Sequence, residues 1–196
     1  MNDAAARYPR EEDLEGETVT LRLMAPGDEG AIETLAAAMP AHDLLYLRRD
    51  ITNPKVVAAW FRANKSGTIK TVLAWRGEEI IGCGALIHDP LSWSPHVGEL
   101  RVLVAPSARQ KGLGRVLIQE CFRLALAENM QKLMAHMTVD QKGAVAIFEE
   151  LGFRGEALLK DHVQDRDGQT HDIVILCCDV DGMHGRLSAY GVDSAL

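Results

Sequence analysis

The sequence predicts a single α/β domain of the α+β type, with about seven strands and four helices. Short alternating or continuously apolar runs indicate strands, and longer amphipathic runs that follow capping residues indicate helices. These segments follow the order β-α-α-β-β-β-α-β-α-β-β, and 196 residues are enough to enclose one substantial core. The predicted strands are residues 18–23, 69–75, 79–87, 100–104, 132–139, 157–163 and 172–180.

The first half of the chain carries clear boundary signals. Residues 18–23 alternate apolar and polar side chains, as in a half-buried strand. Asp28 is placed to cap the first helix. Asn53 and Pro54 are typical of the cap and the first position of a second helix, which Gly67 ends.

Turn residues account for two predicted hairpins. Residues 76–78 join the second and third strands, and residues 165–168 join the last two. The two ends of the chain are polar or rich in small residues. We therefore predict a flexible lead-in at residues 1–16, one folded domain at residues 17–180 and a loose tail at residues 181–196.

Composition and charge narrow the functional classes. The net charge of −7 argues against nucleic acid as a partner and weakly favours a neutral or cationic substrate, such as an amine. No apolar run approaches the roughly 18 residues of a membrane span, and residues 1–16 lack the apolar core of a signal peptide. The four cysteines show no C-x-x-C spacing, so we expect them to be reduced thiols. These observations predict a cytoplasmic protein without a membrane partner.

The most specific local pattern is a strand, a glycine-bearing loop and a helix start. The apolar strand at residues 100–104 breaks at Pro106, and an amphipathic helical pattern begins directly after Gly112 and Gly114. The free N–H groups of a first helical turn attract anions, and glycines let a ligand approach the backbone closely. The order of these elements therefore predicts a phosphate site.

Two familiar phosphate motifs do not fit this loop. A dinucleotide fingerprint needs a third glycine where this chain has Leu117. A nucleoside-triphosphate loop needs Gly-Lys-Ser/Thr, which is absent. The remaining interpretation without a ligand is a helix N-terminus that uses glycines for turn geometry.

The spacing Arg109-x-x-Gly112-x-Gly114 resembles the signature of the GNAT (Gcn5-related N-acetyltransferase) superfamily. Further along, Ala144, Gly152 and Phe153 match the family's second block, Asn-x-x-Ala-x-x-Leu-Tyr-x-x-x-Gly-Phe. Together the two blocks cover about residues 97–155 in the order and spacing of that family. The resemblance implies a mixed, mostly antiparallel sheet with helices on both faces.

The resemblance also implies a site for acetyl-CoA as co-substrate. In this family two central parallel strands splay apart, the pantetheine arm pairs with the first strand, and the loop amides hold the pyrophosphate. Asn of the second block, which contacts the cofactor, corresponds to Gln141. The implied cofactor-binding residues are Leu103, Val104, Arg109, Gln110, Lys111, Gly112, Leu113, Gly114, Arg115 and Gln141.

Acetyl transfer to an amine needs a base, because an alkyl ammonium has a pKa near 10.4. It also needs a donor for the oxyanion, usually a strand N–H. Glu99 resembles the position at which several family members place a glutamate base. His96 and His136 are the alternative bases, because an ordinary imidazole titrates near pH 6.5.

The chain departs from the family where a tyrosine often protonates the CoA thiolate, because Phe148 has no proton to give. Water or another group can protonate this thiolate, since thiols have a pKa near 8.5. Alternatively, Tyr46 reaches in from the irregular segment between the first two helices, and it is our second predicted catalytic residue. The third possibility is a catalytically weak domain that only binds acyl-CoA.

The leading interpretation is an acetyl-CoA-dependent N-acetyltransferase that modifies a primary amine on a small molecule or peptide. The alternative is an acyl-CoA-binding or regulatory module of the same fold. We predict no metal, and the antiparallel C-terminal edge makes a homodimer possible. The resemblance places the acceptor between the first helices and the final hairpin, with walls from Asp43, Tyr46, Arg48, Arg49, Asp50, His162, Asp165 and Asp167.

Overall fold

The computed structural model of this protein describes residues 7–180, so the predicted tail at residues 181–196 lies outside the described residues. The strands are β1 (Arg10–Leu14), β2 (Glu17–Leu23), β3 (Ile69–Arg76), β4 (Glu79–Ile87), β5 (Val97–Val104), β6 (Lys132–Thr138), β7 (Arg154–Gln164) and β8 (Thr170–Asp179). The helices are α1 (Glu29–Ala38), α2 (Pro54–Ser66), α3 (Leu113–Ala127) and α4 (Lys142–Glu150).

The eight strands form one sheet in the order β1-β2-β3-β4-β5-β6-β8-β7. Every neighbouring pair is antiparallel except β5 and β6, which run parallel. The prediction of a mixed, mostly antiparallel sheet is therefore confirmed. β7 is an edge strand of the sheet. It is the C-terminal edge along which the sequence analysis considered a homodimer.

The strand β1 corrects the expectation of a flexible lead-in for residues 10–14, and residues 1–6 of that lead-in lie outside the described residues. It pairs with β2 through a tight turn at Glu15 and Gly16, whose φ angles of 54° and 84° suit a two-residue hairpin. Arg10 and Tyr8 also contact the carboxylate of Glu120, which is fully buried in α3. A buried carboxylate needs such partners, so this segment is held by contacts that no local pattern reveals.

Helices cover both faces of the sheet, as predicted. One core joins the sheet to α3 and α4, with Leu117 and Phe122 fully buried. A second core lies on the opposite face beneath α1 and α2, where Leu73 and Ile32 are buried. Within residues 7–180, no helix combines the length and apolarity that a bilayer crossing requires.

The helix boundaries follow the predicted signals with one exception. The side chain of Asn53 accepts a hydrogen bond from the Lys55 N–H at the start of α2, and Gly67 ends α2 with a φ of 83°. Asp28 precedes α1 but makes no capping hydrogen bond with it. Its carboxylate instead binds the guanidinium of Arg22, with distances of 2.6 and 2.8 Å. The ion pair with β2 replaces the expected cap.

Close packing of α3 on β4 generates a stability prediction. A Cβ added at Gly84 would lie 2.8 Å from Sγ of Cys121 and 3.0 Å from the carbonyl oxygen of Leu117. Gly84→Ala should therefore lower the free energy of unfolding by about 1–3 kcal/mol, as overpacked core positions do. Thermal or urea unfolding of the purified protein measures this change.

The matched control is Gly143→Ala, because Gly143 lies in the first turn of α4 with no atom near its added Cβ. This variant should gain up to about 1 kcal/mol from helix propensity. Equal stability of the Gly84→Ala variant and the parent would show that α3 does not approach β4 this closely.

Candidate active site

A gap opens between the two parallel strands of the sheet. The ladder between β5 and β6 ends at the pair Leu100 and Ala135, yet β5 continues to Val104 and β6 to Thr138. The N–H of Ala105 bonds to the Ile81 carbonyl, on the β4 side. Because backbone groups alternate sides along a strand, the N–H groups of residues 102 and 104 point into the gap.

This alternation separates two predicted cofactor-binding residues. The backbone groups of Val104 face the gap, whereas those of Leu103 face β4 and its partner Cys83. Val102, which the sequence interpretation did not select, faces the gap together with Val104. The signal that could have found Val102 is the two-residue period of a strand, once one hydrogen bond to β4 is known.

The glycine loop ends in an open first turn of α3. Gly112 precedes the helix with a φ of 83°, and Gln110 also has a positive φ of 64°. The N–H of Val116 makes the first bond of the helix, to the Gly112 carbonyl. The N–H groups of the residues before it, Leu113 to Arg115, therefore lack intrahelical partners, and groups of this kind suit an anion.

The two glycines leave space over this turn. A Cβ at Gly112 would meet no atom within 4 Å. A Cβ at Gly114 would meet Cγ2 of Val104 at 3.8 Å, which is an ordinary contact. Protein packing therefore does not require glycine at residue 114, and a small side chain there leaves the first-turn N–H groups open.

The three cations predicted around the phosphate each contact a carboxylate. Nη2 of Arg109 lies 2.6 Å from Oδ2 of Asp43, and Nζ of Lys111 lies 3.0 Å from Oε2 of Glu17. Arg115 pairs with a carboxylate on α4, at residue 150. All three basic side chains are partly exposed, so these pairs contribute little stability and can exchange for a phosphate.

The residues of the second sequence block contact the end of β6 and the core beneath α4. Gln141 precedes α4, and its Oε1 accepts a hydrogen bond of 3.3 Å from the Thr138 N–H at the end of β6. Phe148 is buried and packs edge-on against Phe153, with ring centroids 4.9 Å apart. Phe148 therefore belongs to the core beneath α4.

A buried carboxylate stands beside the gap. Oε1 of Glu99 lies 2.8 Å from Nε of Arg101 and 3.5 Å from Nδ1 of His136, which is on β6 just past the end of the ladder. Oε2 lies 3.4 Å from Nη2 of Arg48. The structure thus joins two of the predicted bases, Glu99 and His136, in one cluster.

The environment fixes the ionisation of Glu99. Burial raises the pKa of this carboxyl, but hydrogen bonds from His136 and Arg101 and the charges of Arg101 and Arg48 outweigh burial and lower it from 4.5 to about 2. These contacts stabilise the fold above pH 4.5 and lose that contribution as the pH falls toward 2. A carboxylate of this kind attracts a cation but holds a proton weakly.

The hydroxyl of Tyr46 also reaches the gap. It donates a hydrogen bond of 2.6 Å to the carbonyl of Val102, beyond the end of the β5–β6 ladder. Burial, and after it the proximity of Cys83, raises the pKa of the Tyr46 phenol above its usual range. The hydroxyl therefore keeps its proton and acts as a donor.

Two cavities adjoin this cluster. The first has a volume of about 350 Å³ and lies between α2, the segment before it and strands β3 to β5. Glu99, Arg101, Arg48 and Arg49 contribute its charged wall. The second, of about 320 Å³, lies between residues 41–50 and the turn of the last hairpin.

The other predicted acceptor residues divide into two groups. Asp50 and Asp165 line the second cavity, where Asp50 pairs with Arg166 at 3.1 Å. Neither cavity is lined by His162 or Asp167, which are exposed. The alternative base His96 is also exposed and lines neither cavity. The sequence analysis missed Arg101, although it follows Glu99 by two positions and so shares its face of the strand.

Among residues 7–180, no three His, Cys, Asp or Glu side chains are placed to hold a metal.

Comparison with known proteins identifies a related sequence. A mycothiol acetyltransferase from Streptomyces scabiei (strain 87.22) is 31% identical over 148 residues, which are 70% of this chain and 43% of that relative. The chain thus spans less than half the length of this curated relative.

Solved structures share the fold. An N-acetyltransferase from Staphylococcus aureus Mu50 superposes with a TM-score of 0.73 at 16% identity, over 83% of this chain and 98% of that one. The protein yncA from Salmonella typhimurium, solved with its cofactor acetyl-CoA, gives a TM-score of 0.69 at 17% identity, over 83% and 94%. The model of the acetyltransferase (GNAT) family matches residues 31–153, and the chain belongs to this family.

Proposed function

We propose that this protein is an acetyl-CoA-dependent N-acetyltransferase that moves an acetyl group to a primary amine. The observation that carries the proposal is the position of an open first helical turn beside an unpaired stretch of parallel strand. A helix N-terminus suits a pyrophosphate, and the free N–H groups of a strand suit an amide-bearing arm. Family membership supports the same function.

The residues present fit acetyl-CoA. The N–H groups of Leu113, Gly114 and Arg115 would hold the pyrophosphate, where no side chain stands over Gly112 or Gly114. The side chains of Lys111, Arg109, Arg115 and Gln110 surround that turn. Val102 and Val104 would offer their N–H groups to the pantetheine arm, with Leu103 contributing its buried side chain to the wall.

Acetyl-CoA, when bound, supplies a thioester: the acceptor nitrogen bonds to the acetyl carbon, the carbon–sulfur bond breaks, the amine loses a proton and the thiolate gains one. We assign Glu99 to attract and orient the amine, because its carboxylate stays ionised. His136 lies 3.5 Å from Glu99 and is the proton acceptor of the pair, since imidazoles in general accept protons near neutral pH.

We assign Tyr46 to donate a hydrogen bond to the leaving thiolate, in place of the tyrosine that Phe148 replaces, and water supplies the proton that the thiolate gains. Its hydroxyl stands at the gap, donates already to the Val102 carbonyl and needs only to change acceptor. If neither Tyr46 nor water acts on the thiolate, the protein is the acyl-CoA-binding module that the buried Phe148 also allows. Release of free CoA in the presence of an amine distinguishes the two.

Two further proposals concern location and assembly. The cysteines Cys83, Cys121, Cys177 and Cys178 are free and buried, which supports a reducing compartment such as the cytoplasm. The edge position of β7 supports a homodimer formed along that strand.

The function is tested by binding and turnover. We expect acetyl-CoA at 100 times its Kd to add about 2.7 kcal/mol to the free energy of unfolding, with no such shift for NAD or ATP. We also expect release of free CoA, followed with a thiol-reactive dye, when primary amines are added. A protein that acetyl-CoA does not stabilise contradicts the proposal.

The variant Gly114→Glu tests the same assignment at one residue. Its Cβ fits the protein, but its negative charge at the first turn of α3 opposes a bound phosphate, so the Kd for acetyl-CoA should rise at least tenfold, about 1.4 kcal/mol. The matched control is Gly30→Glu, because Gly30 is also the second residue of its helix and is open. Unchanged binding in the Gly114→Glu variant would exclude this turn as the phosphate site.

A pH profile tests the assigned role of Glu99. Glu99→Gln should lower kcat/KM about tenfold to hundredfold, roughly 1.4–2.7 kcal/mol, between pH 5 and 9, and an acidic inflection should persist. The reason is that the pKa of Glu99, about 2, lies below this range. The control Glu33→Gln removes an exposed carboxylate on α1. Loss of the acidic inflection in the Glu99→Gln variant would instead make Glu99 the titrating base.

A further inference from the structure

The first cavity is apolar along most of its wall. Its volume of about 350 Å³ is at the lower end of small-molecule sites, which suits one small acceptor. The apolar side chains come from α2, the segment before it, and strands β3 and β4. They include Leu47, Ile51, Val56, Trp60, Ile69 and Ile87.

The charged part of the wall is unbalanced. Three guanidinium groups, on Arg48, Arg49 and Arg101, face the cavity with a single carboxylate, on Glu99. A wall with this excess of positive charge repels a purely cationic acceptor and attracts a group that carries negative charge. The local charge therefore differs in sign from the net charge of −7 that led the sequence interpretation toward a cationic substrate.

Arg49 is the cation that is available for a ligand. Within residues 7–180 its exposed side chain makes no hydrogen bond or ion pair, and it lines both cavities. The neighbouring Arg48 makes one long contact, 3.4 Å to Glu99, and 69% of its side chain is exposed. Arg101 is instead committed to Glu99 at 2.8 Å.

A zwitterionic acceptor can replace the contact between Arg48 and Glu99 with one contact to each residue. An ammonium group of the acceptor would take the place of Arg48 on Glu99, and an adjacent anionic group would take the place of Glu99 on Arg48. Each charge of the protein thereby keeps an opposite partner, so that no buried charge is left alone. Arg49 adds a second guanidinium for the anionic group.

We propose, resting on the proposed acetyltransferase function, that the acceptor is an amino carboxylate with an apolar side chain. Its amine binds Glu99, its carboxylate binds Arg48 and Arg49, and its side chain fills the cavity beside Trp60. Amines that lack a carboxylate, polyamines included, are poor acceptors.

The experiment compares matched acceptors with the full chain and acetyl-CoA. L-phenylalanine and phenethylamine share the amine and the ring and differ in the carboxylate, and spermidine represents polyamines. We expect kcat/KM for L-phenylalanine to exceed both others by at least about tenfold. Equal or better use of phenethylamine or spermidine overturns the inference and leaves the acetyltransferase function standing.

Variants test which residue binds the carboxylate of the acceptor. Arg49→Gln should lower kcat/KM for L-phenylalanine by about tenfold while that for phenethylamine stays within about twofold. If Arg49 had a merely structural role, kcat/KM would fall for both acceptors together. The control Arg62→Gln removes an exposed arginine on α2 that is not among the cavity-lining residues, and it should change neither value.

A binding measurement keeps the inference testable without turnover. Calorimetry in the presence of CoA should show that N-acetyl-L-phenylalanine binds at least about tenfold more tightly than N-acetylphenethylamine. Equal binding of the two products overturns the inference. Absence of both acetyl-CoA binding and amine acetylation would instead reject the proposed function itself.

Discussion

The hydrogen-bonded ladder between β5 and β6 ends at Leu100 and Ala135, although both strands continue beyond this pair. Each strand keeps its course because its outer neighbour holds it: β4 pairs with β5 as far as Val104, and β8 pairs with β6 as far as Thr138. Each side of the gap is therefore hydrogen-bonded to an outer strand. Backbone groups that would normally bond across it are left for other partners.

The chain already satisfies the carbonyls on this side of β5. Tyr46 donates to the carbonyl of Val102, and Nε of Arg109 lies 3.3 Å from the carbonyl of Val104. The N–H groups of the same two residues remain directed into the gap. A ligand with carbonyl acceptors can bind these N–H groups, because backbone donors outside a ladder need other partners.

The close packing of α3 brings the phosphate end of the site to the same place. α3 lies so near β4 that Gly84 has no room for a Cβ, and Gly114 approaches Val104 at the end of β5. The open first turn of α3 and the gap therefore meet at one point. Under the proposed function, this arrangement of strand, loop and helix would position both ends of a long cofactor.

Local signals made much of this fold predictable. Asn53 and Gly67 mark the ends of α2 through their own capping geometry, and the glycines at residues 112 and 114 mark the start of α3. The strand β1 was missed because Glu120, distant in sequence, holds it. A non-local ion pair leaves no periodicity in the sequence.

The site was predictable in its residues and less so in its contacts. Glu99 and His136 were selected separately, and only the parallel register of β5 and β6 brings them within 3.5 Å. The direction of the Leu103 backbone groups depends on which side of β5 bonds to β4. The place of Tyr46 follows from an irregular segment, whose course local propensity does not determine.

Amide hydrogen exchange, resolved by residue with and without acetyl-CoA, tests the gap most directly. We expect acetyl-CoA to slow exchange at the N–H groups of Val102 and Val104, which face the gap. Exchange at Leu103, which faces β4, should change little by comparison. Tight binding of acetyl-CoA with no added protection at Val102 and Val104 would contradict the assignment of this gap as the cofactor site.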